Sequence, residues 1–181
     1  MNVVCILDNG FEELEALGTI DILRRGNIHV DIISIKNEDS VIGSHGIEIK
    51  NMKPFYPEII KSYDALFIPG GPHYQSLERN EEFLNIIKYF MNSNKKVGAI
   101  CAAPTILGHL GLLNGKKYTC FNSMNEDFGG TFIDKYYVVD GNLITGKGPM
   151  ATIDFALGFV QLLIGSDISE SIKKGSFYYN R

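Results

Sequence analysis

The residue with the clearest potential for covalent chemistry is Cys101, which stands where an apolar strand passes directly into a helix. The apolar segment Val97–Ile100 precedes it, and the small residues Ala102 and Ala103 follow it. A residue at such a junction faces the unpaired N–H groups of a helix N-terminus, which favour a thiolate. Small neighbours also permit the sharp turn of a nucleophile elbow. A buried structural cysteine fits the same spacing, so both interpretations stay open.

Glu15 is the candidate proton carrier. It lies with Glu12 and Glu13 in the first turn of a predicted helix, where the helix dipole stabilises any carboxylate, and this explains Glu12 and Glu13 fully. Glu15 stands between Leu14 and Ala16, so we consider a position facing the sheet, where a protonated carboxyl hydrogen-bonds the sulfur of Cys101. A solvated position on the first turn is the alternative.

The Gly70-Gly71 pair follows the predicted strand Ala65–Ile68. Two glycines make a tight turn, and they also let backbone N–H groups approach a ligand, so this loop and the Ala102 N–H are candidate oxyanion donors. His73, just after the turn, is a possible pocket residue or a solvated loop residue. His45, in the predicted hairpin, is a weaker candidate for the pocket.

Cofactor and metal sites are not expected. The four histidines form no carboxylate–histidine cluster at the spacing of metal ligands, and Cys5, Cys101 and Cys120 have no zinc or disulfide spacing. We expect Cys5 and Cys120 to lie inside strands as core residues. The Gly-Gly turn lacks the pattern of a dinucleotide-binding loop.

These candidates are connected by alternating strands and helices. The pattern predicts strands or hairpins at Asn2–Leu7, His29–Ile35, Val41–Ile49, Ala65–Ile68, Val97–Ile100, Lys117–Phe121, Tyr136–Asp140 and Asn142–Thr145. It predicts helices at Glu12–Arg25, Glu81–Met91, Ala102–Leu113, Met150–Ile164 and Ile168–Lys174. This order indicates an α/β fold with a mostly parallel sheet, helices on both faces, and one domain over residues 1–181. The crevice of such a sheet lies beyond the carboxyl ends of its strands.

The composition excludes several classes of protein. The 181 residues carry 17 Lys and Arg against 21 Asp and Glu, a net charge of −4, and no basic patch for nucleic acid. The longest apolar stretch, Phe155–Ile164, is too short for a membrane span, and Met1–Leu7 lacks the features of a signal peptide. We therefore predict a cytoplasmic protein that binds neither nucleic acid nor membrane.

Three motifs together resemble the DJ-1/PfpI superfamily, in its DJ-1-like branch: D-N-G-F-E-E-L-E at residues 8–15, I-P-G-G at 68–71 and A-I-C-A-A-P at 99–104. The similarity extends from Asn2 to about Ile164. The resemblance implies a flavodoxin-like three-layer sandwich and a homodimer. It also implies Cys101 as an oxidisable nucleophile, Glu15 as the buried acid that contacts it, and the N–H groups of Gly71 and Ala102 as the oxyanion site.

The chain departs from the family pattern at two positions. PfpI-type proteases carry a histidine directly after the nucleophilic cysteine, where this chain has Ala102. The DJ-1-like branch carries a histidine near the cysteine at the position of Phe121. The first departure disfavours a cysteine peptidase, and the second removes the usual imidazole from the pocket.

Two functions follow from the resemblance. The first is a cofactor-independent enzyme that acts on small reactive aldehydes, as a glyoxalase or deglycase with a role in stress response. The second is a redox-sensing stress protein or chaperone without significant turnover, because an accessible thiolate oxidises readily to sulfenic and sulfinic acid. Glu15 favours the enzyme, since a sensor needs no proton carrier.

Overall fold

The computed structural model describes residues 1–180. Its strands are β1 (Asn2–Leu7), β2 (His29–Ser34), β3 (Ser40–Ile42), β4 (Glu48–Lys50), β5 (Lys53–Pro54), β6 (Ala65–Ile68), β7 (Lys96–Ile100), β8 (Lys117–Tyr118), β9 (Thr131–Phe132), β10 (Tyr137–Asp140) and β11 (Leu143–Gly146). Its α-helices are α1 (Glu13–Arg25), α2 (Pro57–Ile60), α3 (Tyr74–Leu77), α4 (Glu81–Asn92), α5 (Ala103–His109), α6 (Thr152–Ile164) and α7 (Ser166–Gly175).

Seven strands form the central sheet in the order β10-β11-β7-β6-β1-β2-β5. All neighbouring pairs are parallel except β10 and β11, which form an antiparallel hairpin through Asp140 and Gly141. The α/β fold with a mostly parallel sheet is confirmed. Because β7, β6 and β1 are neighbours, their carboxyl ends meet at one edge of the sheet, as the strand pattern indicates.

Each face of the sheet has its own apolar core. On one face α1, α6 and α7 pack over Cys5 and Phe67, where the rings of Phe155 and Phe159 of α6 lie tilted against Phe67 at centroid distances of 6.0 and 6.3 Å. On the other face α4 and α5 pack over Leu66 and Val97. The molecule is therefore a three-layer sandwich. No helix within residues 1–180 is long and apolar enough to cross a membrane.

Two predicted elements are shorter than expected near the site. The helix predicted over Ala102–Leu113 ends at His109, because the chain turns into a left-handed conformation at Gly111, with φ +72°. The strand predicted over Lys117–Phe121 pairs only at Lys117–Tyr118, parallel to β9. The prediction that Cys120 lies inside a strand is therefore wrong, although its side chain is fully buried.

The predicted face of α1 also needs correction. The helical spacing of Leu14, Leu17, Ile20 and Leu23 predicts an inward face that includes Leu14, but Leu14 is 44% exposed. Glu15 is fully buried, so the alternative of a solvated position for it is wrong. The apolar side chains Ala16, Ile20 and Leu23 cover the sheet. The helix is rotated so that a carboxyl group, and not an aliphatic group, enters the protein beside the ends of β6 and β7.

Candidate active site

Cys101 forms a sharp elbow between β7 and α5. Its φ is +65°, a left-handed conformation that is unfavourable for a residue with a side chain. Hydrogen bonds hold the backbone on both sides: the Cys101 N–H donates to the Gly146 carbonyl at 2.9 Å, and the Phe121 N–H donates to the Cys101 carbonyl at 2.9 Å. The elbow places the partly exposed thiol at the edge of the sheet, whereas the thiols of Cys5 and Cys120 are buried.

Glu15 reaches the same point from α1. Its Oε2 accepts a hydrogen bond from the Gly70 N–H at 2.8 Å, and its carboxyl interacts with the Cys101 side chain. The other oxygen, Oε1, is buried and has no nitrogen or oxygen partner. A buried acceptor without a partner is costly to maintain, so this oxygen is a candidate proton carrier for a bound substrate.

The pair retains protons at neutral pH. Burial, together with the nearby charge of Glu12, raises the pKa of Glu15 to about 8, although hydrogen bonds from Gly70 and Cys101 oppose the shift. Burial raises the pKa of the Cys101 thiol, and the charge of an ionised Glu15 raises it further. The expected thiolate is therefore not favoured while Glu15 is ionised. Protonation of Glu15 removes that charge. The reactive form of the pair is therefore the one in which the Glu15 carboxyl and the Cys101 sulfur hold a single proton between them.

Two backbone N–H groups lie beside the sulfur of Cys101. The N–H groups of Gly71 and Ala102 hydrogen-bond the Cys101 side chain and lower the pKa of its thiol against the larger raising effects. Gly71 has φ +99°, and a Cβ there would lie 2.5 Å from the Glu12 nitrogen and 2.6 Å from the Gly10 oxygen. Only glycine fits this position. These two N–H groups are suited to hold negative charge on an atom beside the sulfur.

Gly70 separates the two side chains, and a methyl group there is expected to disable the site. A Cβ at Gly70 would lie 2.6 Å from Cβ of Cys101 and 2.7 Å from Oε2 of Glu15. Because small displacements of reacting groups alter rates by about 10²-fold, we expect Gly70→Ala to change the rate at which iodoacetamide alkylates Cys101 by that order. Gly175→Ala is the matched control, since a Cβ at Gly175 meets no atom within 4 Å. Equal alkylation rates in both variants would contradict the observed contact.

His73 is a structural residue in this arrangement and does not line an open pocket. Its ring is 2% exposed. Nδ1 accepts from the Asp8 N–H at 3.2 Å, and Nε2 is 2.9 Å from the Pro69 carbonyl oxygen, to which it donates. Burial lowers the pKa of His73 to about 4, so the ring is neutral and bridges the ends of β1 and β6. The alternative of a solvated loop residue is wrong.

His45 lies on an exposed loop and contacts Glu13. Its N–H donates to Oε1 of Glu13 at 2.5 Å, and its Nδ1 lies 2.8 Å from Oε2. Burial raises the pKa of Glu13, but hydrogen bonds from the side chain and backbone of His45 outweigh it and bring the pKa to about 2. The dipole alone therefore does not explain Glu13, which anchors the hairpin to α1. The sequence does not distinguish the role of Glu13 from that of Glu12, because both are acidic residues at the start of the same helix.

One group of possible metal ligands occurs within residues 1–180. Ligand atoms of Glu12, Glu13 and His45 lie within 4.8 Å of one another. Linear spacing does not reveal this group, because the hairpin brings His45 onto the start of α1 only in the folded chain. Both oxygens of Glu13 already accept hydrogen bonds from the loop, and Glu12 caps α1 by accepting from the Glu15 N–H at 2.7 Å. These bonds account for the side chains without a cation.

Phe121 borders an open cavity of about 510 Å³, together with Tyr136, Gly148, Pro149 and Met150. The Phe121 ring is 44% exposed. No sequence pattern identifies the cavity, because its walls come from three separated segments.

Comparison with known proteins places the chain among relatives of known fold. Residues 1–162 match the model of the DJ-1/PfpI family. The chain is 33% identical to DJ-1 homolog B of Arabidopsis thaliana over 93% of its own length and 39% of that protein's, so it spans about two-fifths of this relative. It is 30% identical to a protein of Pyrococcus horikoshii named Deglycase PH1704, over 90% of this chain and 99% of that one. The crystal structure of Drosophila melanogaster DJ-1beta superposes with a TM-score of 0.88, at 28% identity and 97% coverage of both chains.

Proposed function

This chain belongs to the DJ-1/PfpI family, and we propose that it is a cofactor-independent enzyme in which Cys101 attacks small reactive aldehydes. One observation carries the proposal. A buried Glu15 with an unpartnered Oε1 interacts with the Cys101 side chain, which also accepts hydrogen bonds from two backbone N–H groups. This arrangement supplies a nucleophile, an oxyanion site and a proton carrier. The Pyrococcus horikoshii relative is named a deglycase, which supports an enzyme over a protein without turnover.

The first step forms a covalent adduct. With one proton shared by the pair, the Cys101 thiolate adds to the aldehyde carbon of methylglyoxal, and the electrons of the C=O bond move to oxygen. The N–H groups of Gly71 and Ala102 stabilise this alkoxide, which takes the proton from Glu15 and becomes a hemithioacetal. Glu15 is left as a carboxylate, the form required for the next step.

Proton transfer between adjacent carbons completes the rearrangement. The Glu15 carboxylate removes the proton from the former aldehyde carbon, giving an enediolate, and returns it to the neighbouring carbon, while the hydroxyl proton passes from the former aldehyde oxygen to the former ketone oxygen. The aldehyde carbon is thereby oxidised to a thioester while the ketone carbon is reduced to an alcohol. Water then cleaves the thioester, releasing lactate and the Cys101 thiol. The net reaction adds one water to methylglyoxal and needs no external oxidant or reductant.

The test of this proposal is the stoichiometry of the reaction. Purified wild-type protein, without added thiol or metal, should convert methylglyoxal to lactate one for one, as measured by loss of substrate and enzymatic assay of lactate. The same preparation should be assayed on methylglyoxal-modified cysteine or arginine, because a deglycase removes the adduct from the amino acid. Absence of lactate and of adduct removal would overturn the enzyme proposal.

We also propose that the protein acts as a cytoplasmic homodimer. Apolar side chains are exposed at Leu14 of α1 and at Ile42 and Ile47 of the β3–β4 hairpin. The loop of the hairpin lies against the start of α1, where the His45 N–H donates to Oε1 of Glu13 at 2.5 Å. A second copy could cover both segments at once. Sedimentation velocity measures the assembly state, and a monomer at micromolar concentration would contradict the dimer.

A redox-sensing protein without significant turnover is the second candidate, favoured by the contrast between the cysteines. Cys101 alone among the three is partly exposed. Peroxide would transfer one oxygen atom to its sulfur, leaving water and a sulfenic acid, and a second peroxide would give the sulfinic acid. The N–H groups of Gly71 and Ala102 would then hold the charged oxygens.

Peptide mass mapping after titration with peroxide tests this candidate. We expect two oxygen atoms on Cys101 before any oxidation of Cys5 or Cys120, because burial removes those two thiols from solvent and raises the pKa of each. Selective oxidation without aldehyde turnover would favour the sensor over the enzyme. Equal oxidation of the three cysteines would show that Cys101 has no special environment.

The hydrogen-bond partners of the four histidines disfavour a cysteine peptidase. His29 pairs with Asp31, His45 with Glu13, His73 with backbone groups, and His109 with Glu78 and Glu126. Glu15 is the titratable side chain that interacts with Cys101. Amide cleavage by a cysteine needs an acid for the leaving amine, and an imidazole serves that role in enzymes of this type.

A further inference from the structure

The cavity bordered by Phe121 presents an apolar surface. Besides the Phe121 ring, the side chain of Met150 is 82% exposed and that of Tyr136 is 60% exposed. Its cationic rim residue, Lys147, is paired with Asp134. The volume of about 510 Å³ lies within the range of small-molecule sites, roughly 300–1,000 Å³. Such a surface is suited to an apolar group and not to a carboxylate.

The cavity adjoins Cys101 through its own walls. One wall begins at Phe121, whose N–H donates to the Cys101 carbonyl at 2.9 Å. The opposite wall follows Gly146, whose carbonyl accepts from the Cys101 N–H at 2.9 Å. Two residues later, a Cβ placed on Gly148 would be 3.4 Å from Cδ2 of Phe121, so the two segments that are hydrogen-bonded to the backbone of Cys101 also contact each other in the wall of the cavity.

From this placement we infer that the cavity binds the substituent of the substrate, and that Phe121 and Met150 make the enzyme prefer 2-oxoaldehydes with an aromatic substituent. The inference rests on the proposed function of Cys101. Once the aldehyde carbon of the substrate is bonded to the Cys101 sulfur, the rest of the substrate points either into solvent or toward a wall of the cavity. A phenyl group would cover the exposed ring and thioether, whereas the methyl group of methylglyoxal would cover little of either.

The experiment compares kcat/KM for phenylglyoxal and methylglyoxal in the wild type, Phe121→Ala and Met150→Ala. We expect each substitution to lower the phenylglyoxal-to-methylglyoxal ratio by a factor on the order of ten, the effect of removing apolar contacts from a binding pocket. Using the ratio cancels any general loss of active sites. Met150 is highly exposed, so its truncation should leave the fold intact even if Phe121→Ala is destabilised. Ile59→Ala, an exposed aliphatic residue of α2, is the matched control.

The outcomes separate this inference from the proposed function. Turnover of both aldehydes at an unchanged ratio in Phe121→Ala and Met150→Ala overturns the inference and leaves the aldehyde enzyme standing. An unchanged ratio with a weakened dimer, measured by sedimentation velocity, would show that a second copy covers the cavity, which also overturns it. Failure to convert either aldehyde overturns the proposed function, and the inference with it.

Discussion

Cys101→Ala is expected to reduce aldehyde turnover to the uncatalysed rate. The proposed reaction passes through a bond between sulfur and the aldehyde carbon, and no other described thiol is exposed. Alanine removes only the sulfur, and it has the same difficulty as cysteine in adopting φ +65°, so the elbow should be retained. Lactate formation from methylglyoxal under saturating and limiting substrate is the measurement.

Cys5→Ala is the matched control for this variant. Cys5 lies in β1 beneath the helices, has no exposed surface, and belongs to the core that α1 and α6 cover. Its truncation should lower the melting temperature by a few degrees while most of the turnover remains. If Cys101→Ala retained wild-type turnover, Cys101 would not be the nucleophile, and the two oxyanion donors would have another role.

Glu15→Gln is expected to lower kcat/KM for methylglyoxal by a factor on the order of 10²–10⁴, the usual contribution of a positioned acid or base. The glutamine oxygen can still accept from the Gly70 N–H, which lies 2.8 Å from Oε2 in the wild type. The variant therefore keeps the shape of the site and loses the proton. Unchanged kinetics would remove Glu15 from the mechanism.

A pH profile distinguishes loss of the proton from loss of structure. Because the pKa of Glu15 is about 8, the reactive pair with one proton forms as pH rises toward 8, and wild-type kcat/KM should rise over that interval. Glu15→Gln should lack this rise. If Glu15 had only a structural role, Glu15→Gln would keep the wild-type profile at reduced amplitude.

The raised pKa of Glu15 also makes the free energy of unfolding depend on pH. The folded protein holds a proton on Glu15 that the unfolded chain releases above its ordinary pKa of 4.5, so folding takes up a proton between that value and about 8. The free energy of unfolding of the wild type should therefore fall with rising pH across this interval, relative to Glu15→Gln. Urea titrations at several pH values measure the difference.

Much of the architecture could be predicted from the sequence alone. The apolar run Asn2–Leu7 and the strand Ala65–Ile68 have the predicted bounds, because both faces of these strands are buried and the runs end at turn residues. The order of strands and helices indicated the parallel sheet, and hence the edge at which loops carrying Gly70 and Cys101 meet. The position of Cys101 between strand and helix was readable for the same reason: both elements are defined by local patterns.

Tertiary packing decided which side chains enter the site. Helical spacing identifies a repeating set of positions on α1, but both Leu14 and Glu15 lie at its start. The packing of α1 on the sheet and the hydrogen bond from the Gly70 N–H decide that Glu15 is the one that enters the protein. His73 was equally undetermined, since its burial depends on backbone groups of β1 and of the loop after β6. The cavity beside Phe121 is formed by residues far apart in the chain. Local periodicity tells which residues share a face, whereas the partner of that face depends on long-range contacts that no local pattern contains.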